Sequence, residues 1–339
     1  MTAALDLDDL AARATAAAQA WAPGCTVSDV QPLTGGASSL TFTGLVSGGP
    51  TPGERIVLKV APPGLEPVRN RDVARQARLM KALDGAPGVR VPKVYFEDDG
   101  APPEVSPFHA MNIVPGECLE PILQAPPEEV LPLVPDRAYA AAAMLAALHR
   151  VDPDQVGLGG EQRTSLEDEI KRWTRAFETV DERMSERYLE AEELLFATMP
   201  AAFPDAVCHG DYRLGNMLCD GGTVSALIDW EIWSLSDPRL DLAWFLFFTP
   251  EAKHPMASNP GPTGMPSADA LLDAYVAESG GRPADLEWFH CLIRYKEAAA
   301  TALLMKRVVK AGGDAGDAWN TIPALTAECI DRLQVLTPK

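Results

Sequence analysis

The stretch "CHGDYRLGNML", residues 208–218, decides how this chain is read. It sets a histidine, a glycine and an aspartate side by side, with Asn216 five positions after Asp211. A second short apolar run follows and ends in "LIDWE", which delivers another acid, Asp229. Two readings compete: a solvated turn between apolar strands, or oxygen donors gathered round a phosphate. An acid, an amide oxygen and a second acid are hard donors, the kind Mg2+ takes when it also bridges substrate phosphates.

Upstream residues favour the second reading. "ERIVLKVA" (54–61) alternates as a strand, with Ile56, Leu58 and Val60 on one face and Val57 and Lys59 on the other. A lysine inside a strand is costly to bury without an anion. Before it, "LTGGASS" carries Gly35 and Gly36 in a turn whose backbone N–H groups are free of side-chain obstruction. Such a turn suits phosphate oxygens. Each feature alone is ordinary turn or surface chemistry. Their order along one chain is what points to a nucleotide.

Composition bounds the answer. A chain of 339 residues implies two domains or two lobes. Apolar residues make up 47% and charged residues 23%, as in an ordinary globular protein. The net charge of −19 argues against nucleic acid as a partner. No apolar run reaches the length of a membrane span, and the first 24 residues read as an amphipathic helix rather than a signal peptide. Six cysteines, at 25, 118, 208, 219, 291 and 329, form no C-x-x-C pair. They are expected to be free thiols in a reducing cytoplasm. Cys208 beside His209 reads as a small buried thiol, because neighbours on a strand face opposite ways.

The first 115 residues read as a small, mostly antiparallel sheet with one inserted helix around 71–83. "PGE" (115–117) reads as a linker, and beyond it the chain turns helical. "RAYAAAAMLAALHRV" (137–151) is apolar nearly all round, as a buried helix should be. Ser165 with Asp168 forms a capping-box pattern. The Pro/Gly-rich segment 254–267 is a candidate lid or substrate loop.

"HGDYRLGN" followed by "LIDWE" and "DPRLDLAW" resembles the aminoglycoside phosphotransferase and choline kinase-like family, relatives of protein kinases. The style is similar to the phosphotransferase-like domain fused to some acyl-CoA dehydrogenases. The resemblance spans roughly 30–250. It implies an α+β, protein-kinase-like two-lobe fold: residues 1–114 as a nucleotide-binding lobe and 115–339 as a helical catalytic and substrate-binding lobe. It implies ATP, with GTP not excluded, and Mg2+ as cofactors. By the same resemblance Asp211 would be the catalytic base, and Arg213 would contact the γ-phosphate. Asn216 and Asp229 would hold Mg2+. Lys59 would hold the α/β-phosphates, and Gly35, Gly36, Ala37 and Ser38 would form the phosphate loop. Val57 would cover the nucleotide base, and backbone groups of Asn112 and Val114 would bond it. His209 and Asp241 would be structural, Asp241 accepting from backbone N–H groups near 209–211.

One position departs from the family. Where kinases place a glutamate against the strand lysine, this chain has Gln76, with Asp72 one turn earlier. Gln can bond Lys59 but cannot neutralise it. Asp72 or Gln76 is therefore expected to orient Lys59. The leading expectation is a phosphotransferase acting on a small hydroxyl-bearing molecule, with no nucleic-acid or membrane partner. The alternative is a weak or inactive nucleotide-binding pseudokinase module. A metal-dependent hydrolase is disfavoured, because only five histidines occur and none forms an H-x-x-x-H pair. The segment 288–310 has five Lys/Arg against one acid, which leans toward a neutral or anionic acceptor over a polycationic one, unless Lys306, Arg307 and Lys310 form a solvated helix end.

Overall fold

The structure is a computed structural model that describes residues 5–33, 39–257 and 261–336. Its elements in chain order are α1 (Leu7–Trp21), β1 (Thr26–Pro32), β2 (Leu40–Ser47), β3 (Arg55–Val60), α2 (Val73–Leu83), β4 (Val94–Asp98) and β5 (Phe108–Asn112). Then follow α3 (Val134–His149), α4 (Leu166–Phe177), α5 (Tyr188–Ala197), β6 (Ala206–Cys208), β7 (Met217–Asp220), β8 (Thr223–Leu227) and β9 (Ser234–Ser236). The chain closes with α6 (Arg239–Phe247), α7 (Ala268–Ser279), α8 (Leu286–Lys310) and α9 (Ala318–Leu336). The class is α+β. Two compact units are present: one of 1–118, 154–159 and 216–233, the other of 119–153, 160–215 and 234–339.

The first unit is built on a five-stranded antiparallel sheet in the order β1-β2-β3-β5-β4. The period-2 pattern of β3 sets its faces. Ile56, Leu58 and Val60 are fully buried, packed with Phe42, Phe96 and Phe108 against Leu10, Ala14 and Ala18 of α1. Val57 and Lys59 take the opposite face. The β7–β8 hairpin belongs to this unit too, whereas the sequence expectation of one cut at 114/115 assigns it to the second. Backbone bonds explain the membership. Glu117 and Cys219 exchange two N–H···O bonds of 3.0 Å, and Leu227 N–H donates to Arg90 O at 2.8 Å. The expected phosphate-loop residues Gly35, Gly36, Ala37 and Ser38 lie outside the described residues.

The second unit is helical around one large core drawn from α4, α5, α6, α8 and α9. α3 is buried on most of its circumference, in keeping with its uninterrupted alanines. Ser165 caps α4 through a complete capping box with Asp168. The β6–β9 pair brings Cys208 to the start of the 208–218 stretch. Lys306, Arg307 and Lys310 lie exposed at the end of α8, and Arg294 pairs with Glu328 at 2.8 Å. The cations of 288–310 therefore do not form a single wall. No helix among the described residues is long and apolar enough to cross a membrane.

Candidate active site

In the first unit, Lys59 emerges from β3 between Thr41 and His109 on the flanking strands. Its Nζ stands 3.6 Å from Asp229 Oδ1. His109 offers no competing charge. Burial, aided by the nearby Lys59 ammonium, lowers its pKa to about 3 against the pull of the Val73 carbonyl, which lies 2.9 Å from Nδ1. Asp229 follows β8 in the left-handed region, φ 66° and ψ 52°, an uncommon backbone for a residue with a side chain. The preceding residue fixes it: Ile228 N–H donates to Asn216 O at 2.9 Å. Asn216 and Asp229 thus sit at the open end of the β7–β8 hairpin, one beside each strand.

The expected helix partner of Lys59 is corrected here. The Gln76 amide is buried and donates to Asn70 O at 3.4 Å. Asp72 caps α2 by accepting from Arg75 N–H at 2.9 Å. Neither reaches Lys59. Between them on α2, Arg75 lies 3.8 Å over the Trp233 ring and donates to Trp233 O at 3.0 Å, which ties the helix to the turn after Asp229. Of the expected hinge residues, one backbone donor is already engaged. Asn112 already spends its N–H on Lys93 O at 3.1 Å, and its Oδ1 accepts from Lys93 N–H at 2.7 Å. Val114 lies beyond β5, half-buried, with no backbone bond among the described residues.

In the second unit, every residue of "HGDYR" has a visible task. Gly210 takes φ 87°, open to glycine at low cost, and this backbone turns two successive N–H groups toward one acid. Asp241, on the first turn of α6, accepts from His209 N–H and from Gly210 N–H at 2.8 Å, as the sequence implies. Burial opposes its ionisation. The imidazoles of His149 and His209 and the Gly210 N–H overcome that and hold the carboxyl below the usual carboxylate range. His209 is fully buried and accepts from Asp211 N–H through Nδ1 at 3.2 Å. Tyr212, also fully buried, anchors the loop to α3 by donating to Ala141 O at 2.7 Å. Cys208 is buried too, and burial raises its thiol well above the usual range, in keeping with an inert, buried thiol.

Asp211 itself is partly exposed. Trp244 Nε1 donates to its Oδ1 at 2.8 Å, and Arg213 Nε reaches Oδ1 at 3.1 Å and Oδ2 at 3.3 Å. The Arg213 guanidinium continues to Glu120, Nη1 standing 3.8 Å from Oε2. Glu120 Oε2 also accepts from Gly215 N–H at 3.1 Å. A side chain at Gly215 would place its Cβ 2.0 Å from Arg213 Nη1, so the "RLGN" glycine makes room for the guanidinium. Burial pushes Glu120 up to about 7, although Arg213 and two backbone N–H groups pull it down. A parallel pair stands nearby. His254 lies between Phe247 and Phe248, with Nε2 3.7 Å from Glu297 Oε1. Burial lowers His254 to about 4 and raises Glu297 to about 7.

The motifs of the sequence do not mark Trp244, Glu120 or His254 as neighbours of Asp211 or Arg213. One signal was available. Trp244 lies three residues after Asp241 on α6, so both project from the same face toward the 209–211 loop. Glu120 is 91 positions from Asp211, and no local pattern connects them.

A five-stranded antiparallel sheet carrying a strand lysine, followed by a helical unit carrying an HGD loop, defines a protein-kinase-like phosphotransferase fold. The model of the phosphotransferase enzyme family matches residues 29–288, and the chain belongs to that family. Its curated relatives include mouse acyl-CoA dehydrogenase family member 10, 29% identical over 203 residues that make up 56% of this chain and 18% of the relative. Rat acyl-CoA dehydrogenase family member 11 is 24% identical over 286 residues, 78% of this chain and 35% of the relative. The chain thus spans about a fifth to a third of the length of these relatives. A candidate aminoglycoside phosphotransferase from Ralstonia eutropha shares the fold at TM-score 0.73 and 23% identity, covering 97% of this chain and 98% of that one. A thermostable mutant of aminoglycoside phosphotransferase APH(4)-Ia, solved with ADP and hygromycin B, shares it at TM-score 0.59 and 18% identity, covering 93% and 96%.

Proposed function

We propose that this chain is an ATP- and Mg2+-dependent phosphotransferase that moves the γ-phosphoryl group to a hydroxyl of a small molecule, with Asp211 as the catalytic base. The observation that carries the reading is the support of Asp211. An indole N–H and a guanidinium N–H both donate to its carboxylate, which stays partly open to solvent. A carboxylate fixed this way can receive a hydroxyl proton without first reorienting. Arg213, bonded to it, brings positive charge to where the transferred phosphoryl group spreads its own.

The metal fits the donor set. Asp229 supplies an accessible carboxylate and Asn216 an amide oxygen, both hard donors on adjoining ends of one hairpin. Bound Mg2+ would neutralise charge on the phosphate oxygens. Lys59 would exchange Asp229 for the α/β-phosphates, and Val57 on the same face would cover the nucleotide base. Val114 would supply the backbone contact to that base, since the Asn112 N–H is already bonded. Gln76 would act only by packing α2. Gly35, Gly36, Ala37 and Ser38 would form the phosphate loop.

The related APH(4)-Ia structure, solved with ADP and hygromycin B, supports a nucleotide and a small-molecule acceptor for this fold. The test is ADP release from MgATP across a panel of alcohols, sugars and hydroxy acids. The reading expects acceptor-dependent ADP release with at least one class. ATP binding with no acceptor-dependent turnover across the panel would favour a pseudokinase module instead.

A further inference from the structure

Lys296 sits in the middle of α8, in the stretch "LIRYKEAAATALL", and is almost wholly buried. A buried ammonium is expensive, and a leucine or methionine would fill the same volume at less cost. Burial lowers its pKa, while Glu169, Asp211 and Asp241 pull it back. What the ammonium touches is specific. Nζ donates to Gly210 O at 2.6 Å, the carbonyl immediately before Asp211. The same Nζ lies 3.9 Å from the centroid of the Trp244 ring, a close cation–π distance. Trp244 in turn donates its Nε1–H to Asp211 Oδ1 at 2.8 Å.

One cation therefore grips Asp211 from two sides. It holds the backbone just before it through Gly210 O, and it holds the indole that donates to its carboxylate. Asp241 secures the same loop from the opposite sense, through the N–H groups of His209 and Gly210. A cation over the indole face also polarises the ring, which strengthens Nε1–H as a donor. We infer that Lys296 is a positioning residue for phosphoryl transfer, setting the orientation of Asp211 through Gly210 O and Trp244 without touching substrate. The inference rests on the phosphotransferase reading above. It assigns α8 a part in the chemistry that the charge pattern of 288–310 does not show.

The test compares Lys296→Met, which keeps the stem and removes the charge, with Lys296→Arg, which keeps a cation and donors. For Lys296→Met the expected result is a fall in kcat on the order of 10-fold or more, with the KM for ATP held within about 2-fold. Lys296→Arg should recover most of the turnover. Trp244→Phe should lose a similar factor, and the Lys296→Met/Trp244→Phe double variant should fall little below either single, because both act through one carboxylate. A readout independent of turnover is the indole 1H–15N resonance of Trp244, assigned by its loss in Trp244→Phe. It should move in Lys296→Met and return toward its wild-type position in Lys296→Arg. Unchanged kcat in Lys296→Met, or a fall in kcat with the indole resonance unmoved, overturns the inference. If the wild type transfers phosphate to no acceptor, the phosphotransferase reading fails, and the indole shift still decides whether Lys296 orients the Trp244–Asp211 pair.

Discussion

Lys59 Nζ lies 3.6 Å from Asp229 Oδ1, and no residue of α2 bonds this lysine. The ion-pair partner of this lysine is a carboxylate just after β8 rather than a side chain on α2. Gln76→Ala should then leave ATP affinity within about 3-fold of wild type, whereas Asp229→Asn and Lys59→Met should each weaken Mg2+-dependent ATP binding by on the order of 10-fold or more. Titration calorimetry with MgATP checks this. A large loss in Gln76→Ala would restore the helix as the partner of Lys59.

Gly215 makes room for the Arg213 guanidinium. In Gly215→Ala the new Cβ displaces it and breaks the Arg213–Asp211 contact. The kcat of Gly215→Ala should fall on the order of 10- to 100-fold, close to that of Arg213→Ala, with the KM for ATP little changed. Steady-state kinetics of the two variants and their double decide it. Additive losses would show that the glycine serves something other than Arg213.

Glu297 has its pKa raised from 4.5 to about 7, chiefly by burial. The sign follows from the raised folded-state value. The protonated acid is the form the fold favours, so its contribution is complete below about 4.5 and is lost as pH rises through about 7. Glu297→Gln does not titrate and keeps an acceptor for the Thr301 hydroxyl, which donates to Oε1 at 2.9 Å. Between pH 4.5 and pH 8 its stability relative to wild type should rise by up to about 3 kcal/mol. Urea unfolding at the two pH values measures this. An equal difference at both would mean that Glu297 is not held protonated.

Asp241 gives one oxygen to each of two successive N–H groups, the buried His209 N–H and the part-buried Gly210 N–H, and asparagine keeps an acceptor oxygen at only one of those two places. Asp241→Asn should cost about 1–3 kcal/mol for the orphaned donor, lowering Tm by several degrees. Turnover should fall as well, because the loop it holds contains Asp211. Calorimetry and kinetics together check both effects, and an unchanged Tm would contradict the account of the loop.

Much of this was legible in the residues. The alternation of β3 determined which face carries Lys59, because strand periodicity is strict and one face must be buried. Asp241 as the acceptor for the loop near 209–211 was implied by the family resemblance of "DPRLDLAW", not by any local pattern. Other parts were not legible. Lys59 turns to Asp229, 170 positions on, because a hairpin returns there, and nothing local to either residue announces it. The Asn112 N–H is spent on Lys93, where the end of β5 meets the residue before β4. Glu120 and His254 reach the neighbourhood of Asp211 and Arg213 from irregular segments with no motif, one before α3 and one after α6. The hairpin's place in the first unit depends on the Glu117–Cys219 bonds, which composition does not encode.

The central claim is that Asp211 accepts the acceptor's proton during phosphoryl transfer. The most direct measurement compares turnover and MgATP affinity of wild type and Asp211→Asn, using whichever acceptor the panel identifies. The account predicts that the variant loses turnover by about 10²- to 10⁴-fold while its MgATP dissociation constant stays within about 3-fold of wild type. Turnover retained within a few-fold of wild type in Asp211→Asn would contradict it.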